Sequence, residues 1–361
     1  MTTERETNRR GNYSMFMGVF ATAIIGFGAL GVDISYIAMT NNQAQAVSDA
    51  ASHAALIAYR YSDAADIAGR KADGIAAANH VVQNNFVGLG ERGNLNELKF
   101  GQFNPNTGNF NADAQPFNAT YAQVDRKAAD ALQLFLAPVI GQNTADVSQS
   151  GVTASNPREI VVVVDRSCSM QSPSGYQGWE GVRDALGVFA DYMVDHQVPQ
   201  DRLGVTWFNS GGGTWEPLRY VDGNEADILA KWSDWGFCNR NGGWGPNRWA
   251  CSGATDQRDG VVPAHNMLAA SGNSLAFKAM IVISDGNPNP SELNGAFLDA
   301  TQDAWDDDIH VWTVGFGANI DDTLMEDATR GIGTYYHSPD PEGLEQVMLD
   351  IARSIPVVVV D

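Results

Sequence analysis

From Gly11 to Val32 the sequence reads GNYSMFMGVFATAIIGFGALGV, twenty-two residues without a charged side chain. As a helix rising 1.5 Å per residue it would extend about 33 Å, enough to cross the hydrocarbon core of a bilayer. A buried helix of a soluble core needs no such run, so the segment reads as a membrane span. Arg5, Arg9 and Arg10 precede it, and the next basic residue is Arg60. That asymmetry predicts a cytoplasmic N-terminus, with everything from Asp33 onward outside. The alternative is a cleaved signal peptide, which has the same order of charge but a shorter apolar core and a small-residue cleavage site at its end. Ala21-Thr22-Ala23 offers such residues only in mid-segment, so an uncleaved single-pass anchor is preferred.

The 361 residues leave room for one domain of about 200 residues and a smaller one. Apolar residues at 44% against 18% charged describe a chain with a core to bury rather than a disordered one. The formal charge of −21, from 43 acidic and 22 basic residues, would repel a phosphate backbone, and nucleic acid is not an expected partner.

After Asp33 the sequence turns Ala-rich and polar, with two Gly and no Pro before Val82, which favours continued helix. Ala50, Ala54 and Ala58 recur every four residues and form a small-residue face against which another helix could pack closely. From Leu98, LKFGQFNPNTGNF and ATYAQVD read as short strands around an Asn/Gly/Pro turn, followed by a short helix near Lys127 to Leu136. The expected divisions are residues 1–37 for the N-terminus and anchor, 38–97 for a helical stalk and 98–157 for a small α+β unit. Residues 158–355 make the main domain and 356–361 a tail, whose IPVVVVD would add an edge strand or dock on a partner.

From Arg158 the pattern changes. Ile160–Val164, Leu203–Phe208, Met280–Ile283 and Val311–Phe316 are short apolar runs of the kind that a parallel sheet covered on both faces requires. Between them, Trp179, Val182, Leu186, Phe189 and Met193 step at helical spacing, as do Leu344, Val347, Met348, Ile351 and Ile355. The order predicts an α/β domain with a doubly wound, mainly parallel sheet, whose ligands bind beyond the carboxyl ends of the strands.

The first of these strands ends in Asp165-Arg166-Ser167-Cys168-Ser169-Met170, an Asp-x-Ser-x-Ser pattern at a strand-to-helix loop. One carboxylate and two hydroxyls at alternate positions can converge on a cation, and an all-oxygen set suits Mg²⁺, Mn²⁺ or Ca²⁺. A later strand ends in Ser284-Asp285-Gly286, offering a second carboxylate to the same crevice. The competing reading makes Asp165 a helix N-cap and the two serines ordinary capping hydroxyls.

DRSCSM after IVVVV, SDGNPN after MIVI, and VWTVGFG as a later strand resemble, in order, the signposts of the von Willebrand factor A-type (vWA) fold. The resemblance covers Arg158 to Ile355 and implies a metal-ion-dependent adhesion site. Its ligands would be Asp165, Ser167, Ser169, one Thr and Asp285, with Mg²⁺ the favoured cation. Thr255 in SGATDQRDG is the preferred Thr and Thr214 in SGGGTW the alternative. The N-terminal RRGNYSMFMGVFATAIIGFGALGVDISYIAMTNNQAQAVSDAASHAAL is similar to the anchor of TadE/TadG-like proteins of Tad (Flp) pilus assembly. Joined to a vWA domain it resembles the TadG type. That implies a non-enzymatic binding and scaffolding protein of the bacterial inner membrane, with pilus or cell-envelope proteins as partners. A surface adhesin for host or matrix ligands, using the same site, is the alternative.

Cys238 and Cys251 flank the Gly-, Asn- and Trp-rich CNRNGGWGPNRWAC, and a disulfide between them fits an oxidising exterior, with two reduced thiols the alternative. Cys168 remains and reads as a small residue tucked against the sheet. The histidines, at 53, 80, 196, 265, 310 and 337, show no zinc-ligand spacing. No GxSxG elbow, phosphate-binding loop or dinucleotide fingerprint occurs, so hydrolase, ATPase and dehydrogenase readings have no anchor.

Overall fold

The computed structural model describes residues 7–104, 107–170, 178–234, 238–239, 249–250, 254–317, 320–331, 333–355 and 359–360. They fall into two compact units, Met1–Ala114 with Ala119–Ala154 and Asp361, and Gln115–Asn118 with Ser155–Val360.

The first unit is built on α1 (Thr7–Arg60), a 54-residue helix that at 1.5 Å per residue runs about 81 Å. Along its first half Met15, Phe16, Phe20, Ile24 and Phe27 are exposed, whereas Ala44, Val47, Ala51, Ala55 and Leu56 in the second half are buried. A second helix, α2 (Ile67–Asn84), packs beside it. The continuous helix expected up to Val82 is therefore broken. Asp66 caps α2, its carboxylate accepting the Gly69 N–H at 2.6 Å, and so starts a new helix.

Against the helices lies an antiparallel sheet of β1 (Asn94–Asn104), β2 (Asn109–Ala112) and β3 (Ala119–Arg126). Two further strands, β4 (Leu132–Gln133) and β5 (Thr144–Ala145), pair only with each other. The last strand of the unit, β6 (Val147–Ser155), joins the main sheet, giving the order β6–β3–β1–β2 among this unit's strands. The helix expected near Lys127 to Leu136 is absent. A single 3₁₀ turn, Ala128–Asp130, leads into β4, and the N–H groups of Phe135, Leu136 and Ala137 point to the Asp33 carboxylate of α1 rather than up a helix.

The packed face of α1 is also not the predicted one. Ala44, Ser48, Ala51, Ser52, Ala55 and Tyr59 are buried, while Ala50 is exposed and Ala54 and Ala58 are half-buried. Ser48 and Ser52 fit there because the sheet satisfies them. Ser48 donates to the Gln149 carbonyl at 2.9 Å, and the Ser52 and Thr153 hydroxyls lie 2.6 Å apart. A Cβ at Gly151 would come within 2.9 Å of the Asp49 backbone, so glycine is what lets strand and helix approach this closely.

The second unit is the doubly wound α/β domain. It opens with β7 (Arg158–Asp165), α3 (Gly178–Asp195) and β8 (Arg202–Phe208), followed by β9 (Gly212–Tyr220) and α4 (Glu225–Trp232). An insertion contributes the short parallel pair β10 (Cys238–Asn239) and β11 (Trp249–Ala250). The chain continues through α5 (Arg258–Ala269), β12 (Phe277–Ser284), α6 (Leu293–Asp306) and β13 (His310–Phe316). It ends with α7 (Asp322–Ala328), β14 (Tyr335–Ser338), α8 (Leu344–Ser354) and the two-residue strand β15 (Val359–Val360).

The main sheet has the order β14–β13–β12–β7–β8–β9, parallel throughout except for the edge strand β9, which runs antiparallel to β8. Successive residues of β7 serve opposite faces. Ile160, Val162 and Val164 pack in one core with α3 and α8, and Val161 and Val163 in the other with α5 and α6. At the amino ends of the strands the charges are paired, Arg158 with Asp201 at 2.6 Å and Glu159 with Arg202 at 3.2 Å.

Candidate metal centre

The chain leaves β7 for β8 on one side, then returns to place β12 on the other side of β7. The crevice between β7 and β12, beyond their carboxyl ends, is thus the topological switch point, where open α/β sheets bind ligands. Asp165 ends β7 and Asp285 follows β12 directly.

These two carboxylates and the loop serines are joined by hydrogen bonds. Asp165 Oδ1 accepts the Ser167 N–H at 2.7 Å, which folds the loop back over the strand end. The Ser167 and Ser169 hydroxyls lie 2.7 Å apart, and Ser169 Oγ donates to Asp285 Oδ1 at 2.7 Å. Asp165 and Ser167 are buried, Asp285 is half-buried and Ser169 is exposed. The set therefore opens to solvent on the Ser169 side.

Burial pushes the Asp165 carboxyl above the usual range, against hydrogen bonds from Ser167 and Ser284 that oppose the shift. Burial and then the charge of Asp165 push Asp285 up to about 7, against the Ser169 hydrogen bond. Among the described residues neither carboxylate has a Lys, Arg or His ion-pair partner, in contrast to Glu159 and Asp201 at the other end of the strands. The nearest guanidinium in sequence, Arg166, is turned onto the Trp207 ring with its carbon 4.3 Å from the centroid, and burial lowers its pKa to about 9.

Two crowded carboxylates without a basic neighbour among the described residues, flanked by neutral hydroxyls, fit a hard divalent cation. The fit depends on those hydroxyls, since among the described residues no cluster of three or more His, Cys, Asp or Glu side chains is placed to hold a metal.

The structure brings Asp165, Ser167, Ser169 and Asp285 together directly. Thr255 is buried and reaches the same region through the backbone, bridging Asn289 of the Asp285 loop with N···O distances of 3.2 and 2.9 Å. Thr214 stands exposed on β9 opposite Thr206, one strand beyond the neighbour of β7. Helix α5, which follows Thr255, lies close on the sheet because Gly260 has no Cβ, one there being within 2.7 Å of Val163.

Two positioning residues escape sequence reasoning. Ser284 donates to Asp165 Oδ2 at 2.7 Å, and the buried Gln257 donates to the Gly286 carbonyl at 3.1 Å. The register pairs Ile283 with Val164, so a hydroxyl at the next position of β12 falls level with Asp165, a signal readable only once those strands are known to be neighbours. Cys168 is a half-buried free thiol. Of the predicted Cys238–Cys251 pair, Cys251 lies outside the described residues.

Residues 11–70 match the family model described as putative Flp pilus-assembly TadE/G-like. The N-terminal segment is similar to TadE/G-like proteins. No curated protein matches the chain. Among solved structures, proximal thread matrix protein 1 from the mussel byssus, with a zinc-occupied MIDAS motif, is similar at 18% identity and TM-score 0.43, over 55% of this chain and 48% of that one. The von Willebrand factor type A protein from Catenulispora acidiphila is similar at 15% identity and TM-score 0.43, over 71% and 48%. The vWF domain of the type V pili tip protein Mfa5 from Porphyromonas gingivalis is similar at 12% identity and TM-score 0.42, over 56% and 96%. The chain spans about half the length of the first solved structures it matches, 48%. The doubly wound, mainly parallel sheet is the one expected from the sequence, and the Asp-x-Ser-x-Ser loop lies at its switch point. A segment similar to TadE/G-like proteins thus precedes a doubly wound α/β domain in one chain.

Proposed function

We propose that the protein is a membrane-anchored, metal-dependent binding and scaffolding component of Tad (Flp) pilus assembly. The observation that carries this reading is the hydrogen-bonded convergence of Asp165, Ser167, Ser169 and Asp285 at the switch point, where among the described residues no basic side chain pairs with the two carboxylates. Those four residues and Thr255 would hold the cation, Mg²⁺ in the first place and Mn²⁺ or Ca²⁺ otherwise. When bound, it supplies an electrophilic position for an acidic group of a protein partner, because the hydroxyl ligands add no charge of their own. Ser284 and Gln257 keep the two strand ends in register. The role is binding rather than catalysis.

The apolar first half of α1 is the one described helix long and apolar enough to cross a bilayer. With Arg5, Arg9 and Arg10 on its amino side, it would sit in the bacterial inner membrane with its N-terminus in the cytoplasm. The exported insertion would be closed by a Cys238–Cys251 disulfide.

Complementation of a deletion strain tests the reading. Wild-type protein should restore pilus fibres, and Asp165→Ala/Ser167→Ala at equal membrane abundance should not. Fibres restored by the variant would contradict a metal-dependent role in assembly, and intact fibres with lost surface attachment would favour an adhesin.

A further inference from the structure

The first unit carries a group of apolar side chains where α1 leaves its uncharged run. Asp33 follows Val32, the last residue of that run, and its side chain is only 2% exposed. Its carboxylate accepts three backbone N–H groups from one loop, Phe135 at 2.8 Å, Leu136 at 2.9 Å and Ala137 at 2.5 Å. One turn along α1, the Tyr36 ring lies 5.0 Å from that of Phe135, and the Tyr36 hydroxyl accepts the Leu89 N–H at 3.2 Å. Two loops are thus tied to the exit of the span, and the side chains they present are apolar and open: Leu89 is 63% exposed, Phe135 54% and Leu136 40%.

Scattered exposed apolar residues are ordinary on any surface. These differ in their fixed height. Tyr36 lies four residues beyond Val32, about 6 Å along the helix axis. Side chains on a helix lean toward its amino end, so the Asp33 carboxylate and the loop it holds lie back toward Val32. Once the hydrocarbon edge is at Val32, the headgroup layer beyond it is about 5 to 8 Å deep; Phe135 and Leu136 fall within it, and Leu89, in a loop held between Tyr36 and Gln43, stands at its outer edge. Aromatic and aliphatic side chains are stable there, as in the interfacial belts of membrane proteins.

We propose that Leu89, Phe135 and Leu136 form an apolar collar that seats the first unit on the outer headgroup layer of the bilayer, with Asp33 as the clamp that sets its height. The proposal rests on the membrane-anchored reading above. The collar would fix the tilt of the first unit on its anchor, because a loop bonded to α1 at Asp33 and seated in lipid resists rotation of that unit over the surface.

The test uses the full chain in phosphatidylethanolamine–phosphatidylglycerol vesicles, with the photo-crosslinking residue p-benzoylphenylalanine at one position at a time and lipid adducts read by mass spectrometry. Ile24 in the middle of the span is the control for insertion, and Leu275, an exposed apolar residue of the second unit, is the control for background. Lipid adducts at Phe135, Leu136 and Leu89 comparable with those at Ile24, and background at Leu275, are expected. Adducts at Ile24 with background at the three collar positions would overturn the collar and leave the anchor standing, whereas background at Ile24 would overturn the anchor itself. Collar adducts formed with protein instead of lipid would also overturn it, in favour of a protein contact. Asp33→Ala should lower the Leu136 adduct while leaving that at Ile24 intact, and an unchanged Leu136 adduct would remove Asp33 from the role of clamp.

Discussion

The two units pack a sheet against helices by opposite means. In the α/β domain the sheet is covered on both faces by bulky aliphatic and aromatic side chains, with Phe189, Phe208, Phe297 and Phe316 all fully or nearly fully buried. In the first unit the core between helices and sheet has, among the described residues, no buried aromatic ring in its cluster and sets Ala44, Ala51, Ala55, Ala78 and Ala122 among valines and Leu132. It is completed by hydroxyls that bond across it, Ser48 to Gln149 and Ser52 to Thr153. One unit is stabilised by the volume it buries, the other by how closely small residues let backbones approach. The α/β domain should therefore suffer most from lost volume and the first unit from added volume.

Removing volume from the α/β domain has the largest expected effect. Phe189 is fully buried and stacks on Trp232 with centroids 6.1 Å apart, so Phe189→Ala should cost about 3–5 kcal/mol. Thermal unfolding by calorimetry should show only the transition of that unit lowered. Adding volume to the first unit comes next. Gly151→Ala places a methyl group against the Asp49 backbone and should cost about 1–3 kcal/mol. Its readout is faster amide exchange in β6 and in α1 around Asp49, with the α/β domain unchanged. An Ala at 151 that leaves exchange unaltered would show that the helix can yield, and would remove the contrast. Ser52→Ala, which strips the Thr153 hydroxyl of its partner, should cost about 1 kcal/mol in the same assay.

A smaller and pH-dependent effect belongs to the carboxylate pair. Asp285 is raised from 3.8 to about 7, so in the folded cation-free protein the protonated form is favoured relative to the unfolded chain. Stability from this group is full below about pH 4 and is lost as pH rises through about 7, the reverse of an ordinary salt-bridged aspartate. Melting of the α/β domain in chelator should therefore drop across that window, and added divalent cation should abolish the drop at its upper end. A chelated protein that instead gains stability toward neutral pH would show that the pair is neutralised from within the chain.

The same difference in packing decided what could be read from the sequence. Ile160–Val164 and Met280–Ile283 are apolar runs, mostly β-branched, with no polar break, and the α3 stripe from Trp179 to Met193 has a clear helical period, so strands, helices and their order were legible. The Asp-x-Ser-x-Ser loop and Asp285 were legible for a related reason, because each ends one of those runs. An Ala-rich helix has no such contrast between its faces. Ala50, Ala54 and Ala58 look as good a packing stripe as Ala44, Ala51 and Ala55, and only the neighbouring sheet chooses between them. The segment from Lys127 to Leu136 has local helical character, but the N–H groups at its end, Phe135 and Leu136, are taken by a carboxylate a hundred residues away. Ser284 and Gln257 were hidden because each acts across strands or loops that are distant in sequence.

The most direct measurement is calorimetric titration of Mg²⁺, Mn²⁺ and Ca²⁺ into the full chain in detergent, beside Asp165→Ala/Ser167→Ala with circular dichroism to show that the variant is folded. Saturable binding of at least one cation by the wild type, lost in the folded variant, is the predicted result. No binding by the wild type, or binding that the variant retains, would contradict a metal centre at the β7–β12 switch point.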